Sequence, residues 1–351
     1  MRARLVPVLI MVLLALGIGV PPAQAQNGFD FSRAEVSVTG LRVPWAIAFL
    51  PDGSALVSER NTGRIMQVRP GQAPTAVATV NGVRASGESG LLGIAVSPTY
   101  AQDGWVYAYF TSTSGDNRLV RLRLSAPQTQ PVIFSGVPSA TIHDGGRIAF
   151  GPDGMLYVAT GDANNTANSQ NLGSPAGKIL RMTPTGGVPS GNPFANSRVW
   201  SYGHRNVQGL AWDSQGRMYA SELGQNTWDE LNLILPGGNY GWPTCEGTCS
   251  GTSFRNPIVT WPTSQASPSG LAYAHDTLFM ATLRGQRLWT VPISGGIPGT
   301  PSAEFTTTYG RLRAVAAGPD GRLWVATSNH DGRGTPVPQD DRIVRVPPAA
   351  G

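Results

Sequence analysis

The chain has 351 residues, with 44 glycines, 29 prolines, two cysteines and a formal net charge of +5. Its basic residues are scattered and almost all arginine, which argues against a nucleic-acid groove with its clustered basic face; two cysteines with no histidine beside them are too few for a structural zinc site. Apolar residues make up 40% and recur in strand pattern, so the glycine and proline mark tight turns rather than disorder.

The N-terminus reads as a secretory signal peptide over residues 1–25. Arg2 and Arg4 start it, an apolar run of 16 residues extends from Leu5 to Val20, and Ala23-Gln24-Ala25 offers a small-x-small cleavage site. A membrane anchor is the rival, but the run is short of the roughly 20 residues a spanning helix needs. No cysteine near the cleavage point suggests a lipoprotein. Cleavage after Ala25 implies a secreted or periplasmic protein with no membrane span. Residues 1–25 hold two of the 26 basic residues and none of the 21 acids, which leaves the remainder at +3.

From residue 44 onward a unit repeats. Residues 44–53 lead into 55–58, 90–98 into 105–110, and 146–154 into 155–160; then 208–216 lead into 217–221, 269–275 into 277–282, and 313–321 into 322–327. Each is a short apolar strand, usually a Pro-Asp-Gly or Asp-Gly turn, and a second strand rich in β-branched and aromatic residues. Most units continue into a third strand such as 64–68, 178–182, 287–291 or 342–346. Six units at intervals of about 45 to 60 residues, with no helical periodicity, predict an all-β fold. The expected architecture is a six-bladed β-propeller with four-stranded antiparallel blades, one domain over residues 26–351. Propellers build ligand sites from loops at one end of the central channel, so chemistry is expected just before and after the repeated strands.

Four loops break the pattern. His143, in 142–147, has a residue type suited to taking a proton from an alcohol near neutral pH, although a lone histidine is more often structural. Asp162, in 161–165, could hold that imidazole in one tautomer; a turn-capping aspartate is the commoner use of Gly-Asp. Arg205 and Asn206, in 202–210, supply donors for planar carboxylates or quinone oxygens, against the plainer reading of a surface arginine. The stretch 221–243 offers acids, amides and glycine-supported carbonyls, hard oxygen ligands that suit calcium, but without EF-hand spacing. Just after it comes Cys245-Glu246-Gly247-Thr248-Cys249, read as a small loop closed by a disulfide, with two unpaired thiols as the alternative.

The runs Gly203-His204-Arg205-Asn206-x-Gln208-Gly209-Leu210, Ser221-Glu222-x-Gly224, Asp229-Glu230-x-Asn232-Leu233-Ile234 and Gly237-Gly238-Asn239-Tyr240-Gly241-Trp242-Pro243 together resemble the soluble quinoprotein glucose and aldose sugar dehydrogenases. The resemblance extends from Pro44 to about Val346. It implies oxidation of an aldose sugar at C1 to an aldonolactone by pyrroloquinoline quinone (PQQ) with bound calcium, followed by an external electron acceptor. It implies that His143 is the general base as hydride passes to the quinone, that Asp162 supports it, and that Arg205 both contacts the cofactor and stabilises its reduced form. Glu88, Asn206, Trp261, Thr263, Arg284, Arg311 and Arg313 would also contact the cofactor, with Trp261 and Thr263 on a loop lying over it. The backbone carbonyls of Gly224 and Gln225 would hold the calcium that holds the quinone, and Glu230 and Tyr240 a second calcium. The chain departs from the family at Glu88, often glutamine, at Leu223, often polar, and at Gln225, usually proline; Glu88 places a negative charge near three cofactor carboxylates. Rival functions are a calcium-dependent lactonase or esterase, which would not need the arginine set, and a non-enzymatic binding propeller. A monomer or homodimer is expected.

Overall fold

The turns sit where the pattern puts them. Gly53, Gly154, Gly216 and Gly321 close the hairpins with φ between +72° and +82°, the left-handed region that glycine enters without a Cβ penalty. The aspartate of the turn does a second job. Asp153 accepts the N–H of Met155 (3.0 Å) and the hydroxyl of Tyr157 (2.9 Å), and Asp320 accepts the N–H of Arg322 and the indole N–H of Trp324, both at 3.1 Å. The polar tips of large buried aromatics are thereby satisfied by the turns that precede them.

The structure is a computed structural model that describes residues 28–251 and 253–350. The expected signal peptide, residues 1–25, lies outside them. The described chain folds into six antiparallel sheets arranged as a six-bladed β-propeller. The first blade runs Pro44–Phe49, Ala55–Glu59, Arg64–Val68, Thr75–Thr79, and the second Leu91–Val96, Trp105–Thr111, Asp116–Arg123, Val132–Pro138. The third is Ile148–Phe150, Leu156–Ala159, Lys178–Met182, Val199–Tyr202, and the fourth Val207–Trp212, Met218–Glu222, Trp228–Ile234, Val259–Pro262. The fifth is built on Pro268–Ala274, Thr277–Thr282 and Arg287–Ser294, with Ser302–Glu304 outside. The sixth takes Leu312–Ala317, Leu323–Thr327 and Ile343–Val346 from the end of the chain and Glu35–Val38 from its beginning. Val36 pairs with Val344, and this exchange of strands closes the ring.

Blades pack face to face through aromatic pairs. Phe49 meets Trp324 across the first and sixth blades, Tyr107 meets Phe150 across the second and third, and Tyr157 meets Trp212 across the third and fourth, with centroids 5.1–5.2 Å apart. Edge-on contacts of this kind contribute about 0.5–1.5 kcal/mol each beyond area burial.

Five of the six innermost strands shift register near their first residues: Pro44/Ala46, Leu91/Ile94, Val207/Gly209, Pro268/Leu271 and Leu312/Ala314. A bulge bends a strand and re-aims its side chains. Here it accompanies a polar filling of the channel. Arg313 Nη1 donates to Gln208 Oε1 at 2.8 Å, Arg147 Nε donates to the Gln208 carbonyl at 2.8 Å, and the Arg147 guanidinium lies 4.3 Å from the centre of the Trp45 ring. Among the described residues, no helix is long and apolar enough to cross a membrane.

Candidate active site

The innermost strands begin on the face that carries the long loops. There a cavity of about 520 Å³ is lined by Arg60, Arg284, Arg311, Arg313 and Arg333, with Glu88 and Asp331 as its only acids. Five cations against two carboxylates leave the lining at a formal +3. Arg311 grips Asp331 through Nε and Nη2, both 2.8 Å, and Arg313 lies 3.7 Å from the same carboxylate. Burial pushes Arg313 down to about 9, still charged at neutral pH, and its Nε is buried with no partner. Arg284 is exposed and has no ion pair among the described residues. Guanidinium groups in excess of the cavity's carboxylates, with an orphan donor among them, suit a ligand carrying several carboxylates.

His143 stands beside this cavity. Its backbone is left-handed, φ +62°, a conformation that costs a non-glycine residue free energy unless its surroundings hold it. Two bonds hold it here: its N–H donates to Glu88 Oε2 at 3.1 Å, and its carbonyl accepts the N–H of Ala163 at 3.1 Å. Glu88 Oε1 in turn lies 3.2 Å from Arg333. The negative charge that the sequence leaves unexplained is thus an acceptor for the His143 backbone and a partner for an arginine of the cavity. Gly161 packs so tightly on the His143 carbonyl that no side chain fits there.

The imidazole of His143 is set by Asp162. Nδ1 lies 2.8 Å from Asp162 Oδ1, and the carboxylate, wholly buried, also accepts the N–H of Asn164 (2.8 Å) and the indole N–H of Trp242 (2.9 Å). An ionised carboxylate only accepts, so the hydrogen sits on Nδ1, and Nε2 is the basic nitrogen. Nε2 has no partner among the described residues.

Arg205 and Asn206 come next along the rim. Arg205 Nη1 donates to the Leu223 carbonyl at 3.2 Å, and the guanidinium lies 5.5 Å from the centre of the Trp242 ring. Asn206 Oδ1 accepts the N–H of Gly145 at 3.0 Å. Arg205 Nε and Asn206 Nδ2 are buried donors without acceptors. Neighbouring His204 has a different part. Wholly buried, it bonds Glu222 at 2.9 Å and Ser201 at 2.8 Å and stacks on Tyr240, so it braces the loop.

A second, small cavity adjoins Arg205 and is lined by Glu222, Gly224, Glu230, Tyr240 and Glu246. The carbonyl oxygens of Gly224 and Gln225 accept no hydrogen bond among the described residues. Burial, and then the nearby Glu222, push Glu230 up to about 8. Two carboxylates that repel each other out of water favour either a shared proton or a cation. The Tyr240 hydroxyl is occupied, donating to the Leu233 carbonyl and accepting from Leu235, so only its carbonyl is left to face a cation. Among the described residues no cluster of three or more His, Cys, Asp or Glu is arranged to hold a metal, so any site here would draw on backbone oxygens. Cys245 and Cys249 form a disulfide, Cα–Cα 6.1 Å.

Of the residues singled out from sequence, Glu88, Arg284, Arg311 and Arg313 line the large cavity, and Arg205, Gly224, Glu230 and Tyr240 the small one. His143, Asp162 and Asn206 line neither cavity; His143 is bonded to Glu88 of the large one and Asp162 to Trp242 of the small one. Trp261 and Thr263 also line neither cavity. Trp261 is buried between the fourth and fifth blades against Trp289, and Thr263 bonds back to Thr227 and Asn226 at the edge of the fourth blade. The Trp261 ring packs on Trp289 in the apolar cluster of those two blades. Sequence reasoning missed Arg60, Arg333, Asp331 and Trp242. A signal existed for Arg60: it follows Ser58-Glu59 as Asp162 follows Thr160-Gly161 and Arg284 follows Thr282-Leu283, the same place in the repeat.

Comparison with known proteins bears on the family and the fold. The family model described as glucose/sorbosone dehydrogenase matches residues 41–338. Among solved structures, the PQQ-bound form of an aldose sugar dehydrogenase from Streptomyces coelicolor is 51% identical with a TM-score of 0.85, over 90% of this chain and 97% of that one. An aldose sugar dehydrogenase of Escherichia coli, YliI, is 29% identical over 86% of this chain and 91% of its own length. Quinoprotein glucose dehydrogenase B of Acinetobacter calcoaceticus is 30% identical over 81% of this chain, but over only 63% of its own length.

Proposed function

The chain belongs to the glucose/sorbosone dehydrogenase family, and from that premise we propose that it oxidises aldose sugars at C1 to aldonolactones with bound PQQ and calcium. The observation that carries the proposal is the arginine cavity. A net +3 lining with the orphan donor Arg313 Nε, and with Arg205 Nε and Asn206 Nδ2 unpaired close by, fits a cofactor with three carboxylates and two quinone oxygens. The open carbonyls of Gly224 and Gln225 suit calcium, a hard cation that prefers oxygen ligands. Glu230 and the Tyr240 carbonyl are the proposed ligands of a second calcium.

When bound, the quinone supplies a two-electron acceptor and the calcium a Lewis acid that polarises it. The chain's own residues do the rest. Arg284, Arg311 and Arg313 hold the cofactor carboxylates. His143 Nε2 takes the proton from the C1 hydroxyl, and Asp162 stabilises the imidazolium that results. Arg205, with its buried Nε unpaired, would hold positive charge against the bound cofactor. Glu88 fixes the backbone that aims the imidazole. Export through residues 1–25 would put the enzyme where sugars and an external electron acceptor meet it.

Product analysis tests the chemistry. NMR of a turnover mixture with glucose, PQQ and Ca²⁺ should show gluconolactone before gluconate. A product oxidised at any other carbon would overturn the assignment of the reacting centre.

A further inference from the structure

Building on the two calcium sites proposed above, we infer that the five-residue ring closed by the Cys245–Cys249 disulfide is a clasp that shapes both, with Glu246 as its positioning residue. The ring touches both groups of proposed ligands. Glu246 Oε1 accepts four consecutive backbone N–H groups, from Gln225 (2.9 Å), Asn226 (3.0 Å), Thr227 (2.8 Å) and Trp228 (2.9 Å). One residue on, the Gly247 N–H donates to Glu230 Oε1 at 2.7 Å.

Peptide geometry makes the first contact decisive. In a trans peptide the N–H and C=O point in opposite directions. The Gly224 carbonyl shares its peptide with the Gln225 N–H, and the Gln225 carbonyl shares its peptide with the Asn226 N–H. Locking those two N–H groups onto Glu246 therefore turns the two carbonyls away from Glu246 and holds them side by side. The Gly224 N–H is fixed as well, by Asp229 Oδ1 at 2.8 Å. Without the carboxylate, four converging amide dipoles would repel one another and the loop would open into other turns.

The second contact restrains the Glu230 carboxylate, whose other oxygen accepts from Asn232 at 3.0 Å. Gly247 can make this contact because its backbone is left-handed, φ +76°, and because it lies flat on the Trp228 ring, where a Cβ would come within 2.7 Å of Cδ1. The ring is anchored at each end, by Cys245 N–H to the Gly241 carbonyl (3.0 Å) and by Cys249 N–H to Asn256 Oδ1 (2.9 Å). The disulfide confines Glu246 and Gly247 to one conformation, so the ordering of the cation site is done before the ion arrives.

The test is calorimetric titration of Ca²⁺ into the purified full chain, without and with PQQ, for four proteins: unaltered, Glu246→Ala, Glu246→Gln and Cys245→Ser/Cys249→Ser. Circular dichroism in EDTA checks the fold of each. The clasp predicts Ca²⁺ affinity about 10- to 100-fold weaker in Glu246→Ala and in the double-serine protein, the range for residues that orient metal ligands. Glu246→Gln keeps an acceptor oxygen and should stay within about fivefold. Folded Glu246→Ala and double-serine proteins that bind Ca²⁺ like the unaltered chain would overturn the clasp alone. If Glu246→Ala does not fold, the double-serine protein decides. Absence of Ca²⁺ uptake by the unaltered chain would be a different result, overturning the calcium reading and the clasp with it.

Discussion

Replacing Asp162 by asparagine separates what the carboxylate does from the space it fills. Asp162 accepts three hydrogen bonds, from His143 Nδ1, the Asn164 N–H and the Trp242 indole N–H. An asparagine carries one acceptor oxygen and one donor nitrogen. If the oxygen stays toward His143 and Asn164, the amide NH₂ meets the Trp242 N–H, donor against donor. If the amide flips, Trp242 is satisfied, but the NH₂ meets the Asn164 N–H and forces His143 to carry its hydrogen on Nε2, the nitrogen proposed as base. Either way a buried donor goes unpaired, at about 1–3 kcal/mol, and the imidazolium loses its anion. A base in the wrong tautomer or without its counter-charge loses about 10²–10⁴ in rate. We therefore expect kcat in dye reduction with saturating glucose, PQQ and Ca²⁺ to fall about 10³-fold, with KM for sugar within about threefold and a lower thermal midpoint. Trp242→Phe, which removes only the third bond, should lose no more than about tenfold. Asp162→Asn protein that retains a tenth or more of kcat would refute the role given to this pair.

The remaining expectations concern the walls of the site. Glu88→Gln keeps an oxygen for the His143 N–H and should hold kcat within about threefold, whereas Glu88→Ala removes the acceptor and should lower it about tenfold, read in the same dye assay. Arg284→Met removes an exposed cation with no ion pair among the described residues and should weaken PQQ binding about 10- to 100-fold in a fluorescence titration, with the thermal midpoint unchanged. Lys178, wholly buried, donates to the carbonyls of Asn168, Ser169 and Ala176, and burial pushes it down to about 7. Between pH 7 and about 10.4 the unfolded lysine holds a proton that the folded one has lost, so stability contributed through this group rises with pH, by at most about 1.4 kcal/mol per unit. The thermal midpoint should climb from pH 7 to 9.5, and Lys178→Met should flatten that climb.

The propeller was legible because its turns carry their own chemistry: Asp-Gly turns mark most of the hairpins, and six hairpins at similar spacing leave few alternatives. Strand exchange in the sixth blade was not legible. Glu35–Val38 has no repeat signature, and only its partner Ile343–Val346 explains it. In the site, residues within long local runs, such as Arg205 and Asn206, could be found because their loops depart from the repeat. Arg60 could have been found from its place in the repeat; Arg333 could not, because it matters through what the ring closure brings opposite it, Glu88. Trp261 shows the reverse case. The family resemblance implies a loop over the cavity, yet the Trp261 ring packs on Trp289 between the fourth and fifth blades. The backbone role of Glu88 was hidden for a further reason: a composition argument counts its charge, whereas its position depends on the left-handed turn at His143.

Reconstitution tests the central claim most directly. Cofactor-free protein would be mixed with PQQ and Ca²⁺, together and singly, and dye reduction followed with glucose, galactose, xylose and maltose beside a His143→Ala control. The account predicts activity that requires both additions and is abolished in the control. Folded protein that neither binds PQQ nor reduces dye with any of these sugars would contradict it.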